Sequence, residues 1–262
     1  MKRQYVFIFL CIAGLIFIHP AAQTFRFALL TDTHISTENS SASTDLALAV
    51  DEINKNHALA FVLVDGDIAD HGDNSSLKKA KNILDHLTIP YYITSGNHDS
   101  DNGRMNLINF IHVFGDNKFV FQYAGFYFVG FPTGPVSVDS EGHISVQTLD
   151  FLKAELKRIP LKKPIFLITH YPLLDGDVDN WRELSTRLKN HKIMAVLNGH
   201  YHRNALLSYN GLPGIVNRST LRGNAPFGGY SLFAVGDSLQ VFEKVIGLPA
   251  RRWLNLPLKI IN

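Results

Sequence analysis

Short apolar runs alternate along the chain with segments in which apolar residues recur every three or four positions. The apolar runs predict buried strands over residues 25–30, 61–64, 91–93, 165–168 and 193–197. Helical periodicity predicts helices that include residues 46–53, 77–87, 105–114 and 148–158, and a further helix that begins at Asn180. Alternation of strands and helices in this manner is typical of an α/β domain.

The local signals add a hairpin and a capped helix to this pattern. Two aromatic-rich runs, residues 119–123 and 126–131, meet at Ala124-Gly125, which predicts a hairpin turn. Asn180 followed by Glu183 predicts a capping box. Residues 206–245 contain short β segments broken by Gly, Pro and Asn, and no repeat or long linker divides the chain. We therefore expect a single domain over residues 23–262, with residues 247–262 as a peripheral tail.

The first residues predict a secretory signal peptide over residues 1–22. A basic start with Lys2 and Arg3 precedes an apolar run over residues 5–18, and Ala21 and Ala22 follow it. The run is shorter than the roughly 20 apolar residues that a membrane-spanning helix needs. We expect an exported protein, periplasmic or secreted, without a membrane span in the mature chain. An uncleaved N-terminal membrane anchor is the alternative.

Composition narrows the classes of protein and of site. The chain has 262 residues, of which 46% are hydrophobic and 18% charged, and this balance excludes a disordered chain. The single cysteine excludes an internal disulfide and a Cys-rich zinc module, so any metal ligands must be imidazole, carboxylate or amide groups. Lys2 and Arg3 of the predicted leader account for the net charge of +2, so the rest of the chain carries equal numbers of basic and acidic residues. We therefore expect no nucleic-acid-binding surface, which would need clustered positive charge.

Polar residues follow the predicted strands at the points where five of them end. The five blocks are Asp32-Thr33-His34, Asp65-Gly66-Asp67-Ile68-Ala69-Asp70, Gly96-Asn97-His98-Asp99, Thr169-His170 and Gly199-His200-Tyr201-His202. Each block alone is more typical of an ordinary turn, but the binding crevice of an α/β sheet lies at the carboxyl ends of its strands. Together the blocks predict one shared site.

Two local features suggest how the backbone presents these side chains. Gly66, Gly96 and Gly199 precede candidate ligands, and we expect them to supply a positive φ at the turns. Candidate ligands two positions apart, as in Asp32 and His34, would point the same way in an extended chain. The same alternation applies to the two histidines of the last block.

The ordered set of blocks resembles the calcineurin-like metallophosphoesterase superfamily, over residues from about 25 to about 245. The resemblance implies a four-layer α/β/β/α sandwich with mixed sheets and a dimetal site at the C-terminal ends of the strands. One metal ion would be held by Asp32, His34, Asp67 and His202. The other would be held by Asp67, Asn97, His170 and His200, with Asp67 bridging the two ions.

The resemblance also implies roles for two residues that are not ligands. His98 would face the substrate and either donate a hydrogen bond to a phosphoryl oxygen or protonate the leaving alkoxide, and Asp70 would orient His98. Asp99 follows His98 where phosphoprotein phosphatases have Glu, and Asp70 stands where purple acid phosphatases have Tyr. The compact length and block order are most similar to the cyclic-nucleotide phosphodiesterase-like branch.

The expected activity is metal-dependent hydrolysis of a small phosphoester, in which a hydroxide activated by two divalent ions attacks phosphorus in line. A phosphodiesterase is favoured; the alternatives are a phosphomonoesterase, such as a nucleotidase or phosphatase, and a non-catalytic binding module on the same fold. The ligand types suit Mn, Fe or Zn. Arg203, Arg218 and Arg222 could approach a phosphate, although each is more typical of a solvated or structural arginine. The sequence indicates no oligomeric state.

Overall fold

A computed structural model describes residues 24–100, 107–134 and 141–258. The predicted leader lies outside these residues, as do the first two positions of the predicted helix 105–114 and the last four of the tail. The signal peptide and the export that it implies therefore stay predictions. In the described part of the chain, no helix is both long and apolar enough to cross a membrane.

Twelve strands and five helices form the described fold. The strands are β1 (Phe25–Thr31), β2 (Leu59–Asp65), β3 (Tyr91–Thr94), β4 (Phe119–Tyr123), β5 (Phe126–Gly130), β6 (Pro164–Ile168), β7 (Lys192–Asn198), β8 (Ala205–Tyr209), β9 (Leu212–Val216), β10 (Gly229–Val235), β11 (Ser238–Val245) and β12 (Arg251–Pro257). The helices are α1 (Ser40–Asn54), α2 (Asn74–Leu84), α3 (Ile108–Phe114), α4 (Val146–Arg158) and α5 (Trp181–Leu188).

The strands form two mixed sheets of six strands each. The first has the order β12-β11-β10-β1-β2-β3, with β1, β2 and β3 parallel and β10 to β12 antiparallel. The second has the order β4-β5-β6-β7-β9-β8, in which β5, β6, β7 and β9 are parallel. Each of the five predicted blocks lies at the carboxyl end of a strand. The strands are β1, β2, β3, β6 and β7.

Alternate residues of the central strands pack into different layers, as the period of two in a strand requires. In β1, Ala28 and Leu30 pack against the helices α1 and α2, whereas Phe27 and Leu29 pack between the two sheets. In β6, Ile165 and Leu167 pack against α4 and α5, whereas Phe166 packs between the sheets. These three apolar layers confirm the predicted four-layer α/β/β/α sandwich.

Aromatic side chains fill the layer between the sheets. The Phe27 ring stacks on Phe233 at 4.7 Å between centroids and on Phe61 at 5.1 Å. It also meets Phe128 of the opposite sheet edge-to-face at 5.6 Å. Truncating a fully buried phenylalanine costs about 3–5 kcal/mol, so this layer fixes the sheets that carry the site.

Three of the five helices, α1, α2 and α4, are capped at their N-termini by the side chain of the preceding residue. Asn39 caps α1, and the Asp73 side chain accepts hydrogen bonds from the second and third residues of α2. The predicted capping box at Asn180 is wrong, because the Asn180 side chain makes no cap hydrogen bond. It instead exchanges two 2.9 Å hydrogen bonds with the main chain of Ile144 and so fastens the segment before α4.

The hairpin and the tail are both built into the sheets. Tyr123 pairs with Phe126 across the predicted Ala124-Gly125 turn, which confirms the hairpin. The tail contributes β12, the outermost strand of the first sheet, paired antiparallel with β11. The segment expected to be peripheral is thus the edge of a sheet and not a detached extension.

We expect Ala124→Gly to stabilise the protein by about 1 kcal/mol, because Ala124 has a φ of +48° and an L-residue other than glycine is disfavoured there. The free energy of unfolding in urea would measure the effect. Ala47→Gly, on the exposed side of α1, is the matched control and should destabilise by about 1 kcal/mol. Equal signs for the two substitutions would contradict the prediction.

Candidate metal centre

Histidines and aspartates from all five predicted blocks converge at the strand ends. Three groups have ligand atoms that all lie within 4.8 Å of one another. They are Asp32, His34 and His202; Asp67, His170 and His200; and His34, Asp67 and His98. The first two groups follow the division between two ions that the resemblance implies. The third group adds His98 at the side of His34.

Asp32 lies at the centre of the first group. Its Oδ1 is 3.1 Å from His202 Nε2, and its two carboxylate oxygens each accept a 3.2 Å hydrogen bond from the His200 amide. The Nε2 atoms of His34 and His202 are 3.2 Å apart. The Asp32 carboxylate thus contacts both histidines of the Gly-His-Tyr-His block: the side chain of His202 and the main-chain amide of His200.

Asp67 lies between the two sides of the cluster, where a bridging ligand would be. Its Oδ2 is 3.1 Å from His170 Nε2 and 3.9 Å from His34 Nε2. Its Oδ1 accepts a 2.9 Å hydrogen bond from the amide of His98. Asn97, the residue before His98, is buried in the same loop after β3. All seven predicted ligands therefore lie in the loops that surround this cluster.

The backbone at the candidate ligands has an unusual conformation. Among the described residues, seven other than glycine have a positive φ, and five of these are Asp32, His34, Asp67, His200 and His202. Such residues cost of order 1–3 kcal/mol each and concentrate at functional sites. The expectation of an extended chain at Asp32 and His34 and at His200 and His202 is wrong, because all four residues are left-handed and turn the chain sharply after β1 and β7.

Hydrogen bonds between neighbouring loops hold these turns. The amide of Asp32 donates to the Gly66 carbonyl, and the amide of His34 donates to the Asp67 carbonyl, both at 3.0 Å. The loop after β9 adds a bond from the Leu221 amide to the Asp32 carbonyl at 3.2 Å. Asp32 is therefore held through both its amide and its carbonyl, and His34 through its amide, which offsets part of their conformational cost.

The three glycines before candidate ligands have two different functions. Gly66 has a φ of +69°, as predicted. Gly96 and Gly199 do not have a positive φ, so the prediction is wrong for them. A Cβ at Gly96 would collide with Asp67, and one at Gly199 with Thr31. These two positions need glycine because the carboxylate-bearing loops pass directly against them.

His98 and Asp70 are in contact, but not through the group that was expected. His98 Nδ1 lies 2.8 Å from the main-chain carbonyl of Asp70. The Asp70 carboxylate instead lies 3.3 Å from His34 Nδ1 and is 44% exposed. Because a carbonyl only accepts hydrogen bonds, His98 Nδ1 carries a hydrogen and its Nε2 is left for chemistry. The predicted orienting contact is thus made by the backbone, since the side chain turns toward His34.

Asp99 connects the loops after β2 and β3. Its Oδ1 accepts 2.9 Å hydrogen bonds from the amides of Ile68 and Ala69, and its Oδ2 accepts a 2.8 Å bond from Gly96. Burial, with the charge of Asp67, raises the pKa of Asp99 to about 7. Sequence reasoning placed Asp99 near the ligands without this function, because Ile68 and Ala69 lie 31 and 30 residues away in the chain.

The charges of the cluster depend on one another. Burial alone would raise the pKa of Asp67, but the neighbouring His170 holds that pKa well below its usual range. Burial opposes protonation of His170, but the Asp67 and Asp32 carboxylates outweigh it and raise the His170 pKa. Burial and the charge of His170 lower the pKa of His200 to about 4. A positive charge is therefore required between the two carboxylates.

The donor atoms fit a metal cation at that position. His170 Nδ1 lies 3.0 Å from the Asp65 carbonyl, so Nδ1 carries a hydrogen and Nε2 is the nitrogen available to a metal ion. That buried Nε2 has no hydrogen-bond partner among the described residues and faces Asp67 Oδ2 and Asp32 Oδ1. The two carboxylates need a positive charge at this nitrogen, which either a proton on Nε2, in line with the raised pKa of His170, or a metal cation in place of that proton would supply. Imidazole and carboxylate are common ligands of divalent transition metals.

Asp65 is a buried acid beneath the cluster that the sequence analysis did not identify as a separate feature. It ends β2, is fully buried, and neither carboxylate oxygen has a hydrogen-bond partner in the described part of the chain. Burial raises its pKa to about 8. A single Asp at the end of an otherwise apolar strand was the available signal.

Two of the three candidate arginines have structural partners. Arg222 forms a 2.6 Å ion pair with the buried Asp45 of α1, and Arg218 lies 3.2 Å from Glu243 of β11. Arg203 instead lies over the ring of Tyr201, with its guanidinium carbon 5.5 Å from the ring centroid. The structural interpretation is thus confirmed for Arg218 and Arg222.

Comparison with protein families and curated proteins gives consistent results. The model of the family described as calcineurin-like phosphoesterase matches residues 25–204. A "Probable glycerophosphodiester phosphodiesterase" of Arcobacter nitrofigilis is 28% identical over 55% of this chain and 56% of its own length. A "3',5'-cyclic-nucleotide phosphodiesterase" of Nostoc sp. is 27% identical over 67% of this chain and 71% of its own. The alignments with the first two curated relatives span a little over half of their lengths.

Solved structures share the fold at low sequence identity. A dimetal phosphatase from Danio rerio superposes with a TM-score of 0.70 at 16% identity, over 90% of this chain and 99% of its own. A purple acid phosphatase from yellow lupin gives 0.64 at 12% identity, over 90% and 53%. A protein described as the anchor in the inner membrane complex of Plasmodium gives 0.60 at 13% identity, over 90% and 89%.

We expect the metal-free protein to lose stability as the pH rises from about 4 to about 8, because the pKa of Asp65 is raised from 3.8 to about 8 in the fold. A raised pKa means that the folded state binds more protons, so Asp65 favours folding fully below its unfolded pKa and this contribution is lost with rising pH. Thermal unfolding in EDTA would measure the profile, which Asp65→Asn should flatten by a few kcal/mol.

Asp237→Asn, at an exposed turn between β10 and β11, is the control and should leave the pH profile unchanged. The same slope in wild type and Asp65→Asn would show that Asp65 is not the titrating group.

Proposed function

Because the chain belongs to the calcineurin-like phosphoesterase family, we propose that it hydrolyses phosphodiesters with two divalent metal ions. The family and the clustered ligand atoms support a metal-using hydrolase of phosphoester bonds. The observation that carries the finer proposal is the convergence of two aspartates and four histidines, in groups whose ligand atoms lie within 4.8 Å.

The residues divide between two proposed ion positions. Asp32, His34 and His202 would hold one ion and His170, Asn97 and His200 the other, with Asp67 shared. The contacts support Asp67 as the bridge, because Oδ2 faces His170 on one side and His34 on the other. Mn, Fe and Zn all suit these ligands.

Divalent ions bound at this position would supply an activated water and charge stabilisation for the phosphoryl oxygens during in-line displacement. The protein orients His98 for the leaving group. Its Nδ1 donates a hydrogen bond to the Asp70 carbonyl, and its main-chain amide donates one to the Asp67 carboxylate. The Nε2 atom is therefore the one that can deliver a proton to the departing alkoxide. The His98 ring lies 4.8 Å from the His34 ring, beside the proposed first ion.

Diester cleavage is favoured by the curated relatives, whose names are those of glycerophosphodiester and cyclic-nucleotide phosphodiesterases. Monoester cleavage is the second candidate, since solved structures with this fold include phosphatases. A binding module is the third, because an anchor protein has the same fold. The complete set of ligands and the conformational strain at five of the residues support catalysis over binding alone.

The substrate class can be tested with the metal-reconstituted protein and two chromogenic esters. We expect bis(p-nitrophenyl) phosphate to be hydrolysed with a kcat/KM at least tenfold above that of p-nitrophenyl phosphate. Mn²⁺, Fe²⁺ and Zn²⁺ would be supplied separately, with bound metal quantified in each preparation. A preference for the monoester would overturn the diesterase proposal, and no turnover with two ions bound would favour the binding module.

His98→Asn should retain both metal ions but lower kcat by about 10²–10⁴-fold, the usual contribution of a general acid. Metal content by elemental analysis and turnover of bis(p-nitrophenyl) phosphate would be measured on the same sample. His57→Asn, an exposed histidine in the turn before β2, is the control and should match wild type. The role of His98 is refuted by a kcat close to wild type.

A further inference from the structure

Arg203 is the one of the three candidate arginines that no described carboxylate engages in an ion pair. Arg218 and Arg222 lie against Glu243 and Asp45, whereas Arg203 contacts the ring face of Tyr201. The Arg203 side chain is exposed. A guanidinium on an aromatic face keeps its hydrogen-bond donors available to a ligand.

Tyr201 provides a fixed support for this guanidinium. Its hydroxyl donates a 2.6 Å hydrogen bond to Asp177 Oδ2, in the loop between β6 and α5. Its ring lies 5.9 Å from the His200 ring, which in turn lies 4.2 Å from the buried Tyr171 ring. The arginine is therefore connected to the metal centre through side chains that are held in place.

The open side of the centre is also at this position. The side chain of His202, which directly precedes Arg203, is 44% exposed, whereas that of His170 is fully buried. The cluster is therefore open to a substrate on the side of His202. Arg203 directly follows His202 in the chain and lies at this open side.

We propose that Arg203, supported by Tyr201, forms a subsite for a second phosphate group of the substrate. The planar guanidinium matches the geometry of phosphate oxygens and can bind two of them at once. The substrate class is then a phosphodiester that contains a diphosphate, with one phosphorus at the metal centre and the other at Arg203. This inference rests on the proposed hydrolytic function and adds the substrate class.

A matched pair of substrates isolates the second phosphate. Methyl p-nitrophenyl phosphate and P¹-(p-nitrophenyl) P²-methyl diphosphate differ only by one phosphate between the methyl group and the scissile phosphorus. In both, water adds to the phosphorus that bears the nitrophenoxide, the P–O bond to that group breaks, and p-nitrophenolate leaves. We expect the metal-reconstituted wild type to show a KM about fivefold to tenfold lower for the diphosphate.

Arg203→Gln should raise KM for the diphosphate about tenfold more than KM for the monophosphate, with kcat for the two changing in parallel. Arg203→Lys should restore part of the difference, since it keeps the charge without the planar fork. The wild-type preference should shrink in high salt, because an exposed contact is screened. Arg251→Gln, an exposed arginine on the edge strand β12, is the control and should leave both constants unchanged.

The outcomes separate this inference from the function on which it rests. Equal KM values for the two substrates in wild type, or an equal change of both in Arg203→Gln, would overturn the second-phosphate subsite while hydrolysis stands. Absence of nitrophenolate release from either substrate, with both ions bound, would instead refute the proposed hydrolysis. Far-ultraviolet circular dichroism and metal content of Arg203→Gln would establish that the variant is folded and loaded.

Discussion

Two buried carboxylates, Asp32 and Asp67, impose the constraint on which the rest of the centre depends. Both are fully or almost fully removed from solvent, and an isolated ionised carboxylate in such a position is strongly unfavourable. Imidazoles from three different loops surround them, with His170 contacting both. Protonated imidazoles, His170 above all, offset part of this charge, and a bound cation would complete the compensation. The architecture of the centre follows from this requirement.

The fold meets that requirement by placing strand ends from two sheets at one edge. The interior of each central strand alternates between two apolar layers, so the strand positions are fixed by burial on both faces. Polar side chains enter only where the strand stops. The left-handed residues after the strands turn the carboxylates and imidazoles inward, and hydrogen bonds between loops hold those turns. The left-handed residues thus lie next to the apolar layers, whose packing stabilises the fold enough to offset their conformational cost.

The strands and the identity of the cluster were predictable because both depend on local patterns. Apolar runs 25–30 and 165–168 correspond closely to β1 and β6, and each block directly follows its strand. What the sequence could not show are contacts between residues far apart in the chain. Asn180 is of a residue type that commonly caps helices, but its side chain forms its hydrogen bonds with the main chain of Ile144. The same reason explains why the Asp70 carboxylate was assigned to His98, although it lies against His34.

The two sides of the centre differ in a way that separates chemistry from recognition. His170 lies at the end of a strand that is buried on both faces, with its Nδ1 on a main-chain carbonyl, so its environment is set by the fold itself. His202 lies in an exposed turn, where Arg203 lies over the Tyr201 ring and the Tyr201 hydroxyl donates to Asp177 of a neighbouring loop. Loop residues can change without disturbing the core, whereas strand residues cannot. The side of the centre at His202 is therefore where selection of the substrate can vary while the metal-binding chemistry is kept.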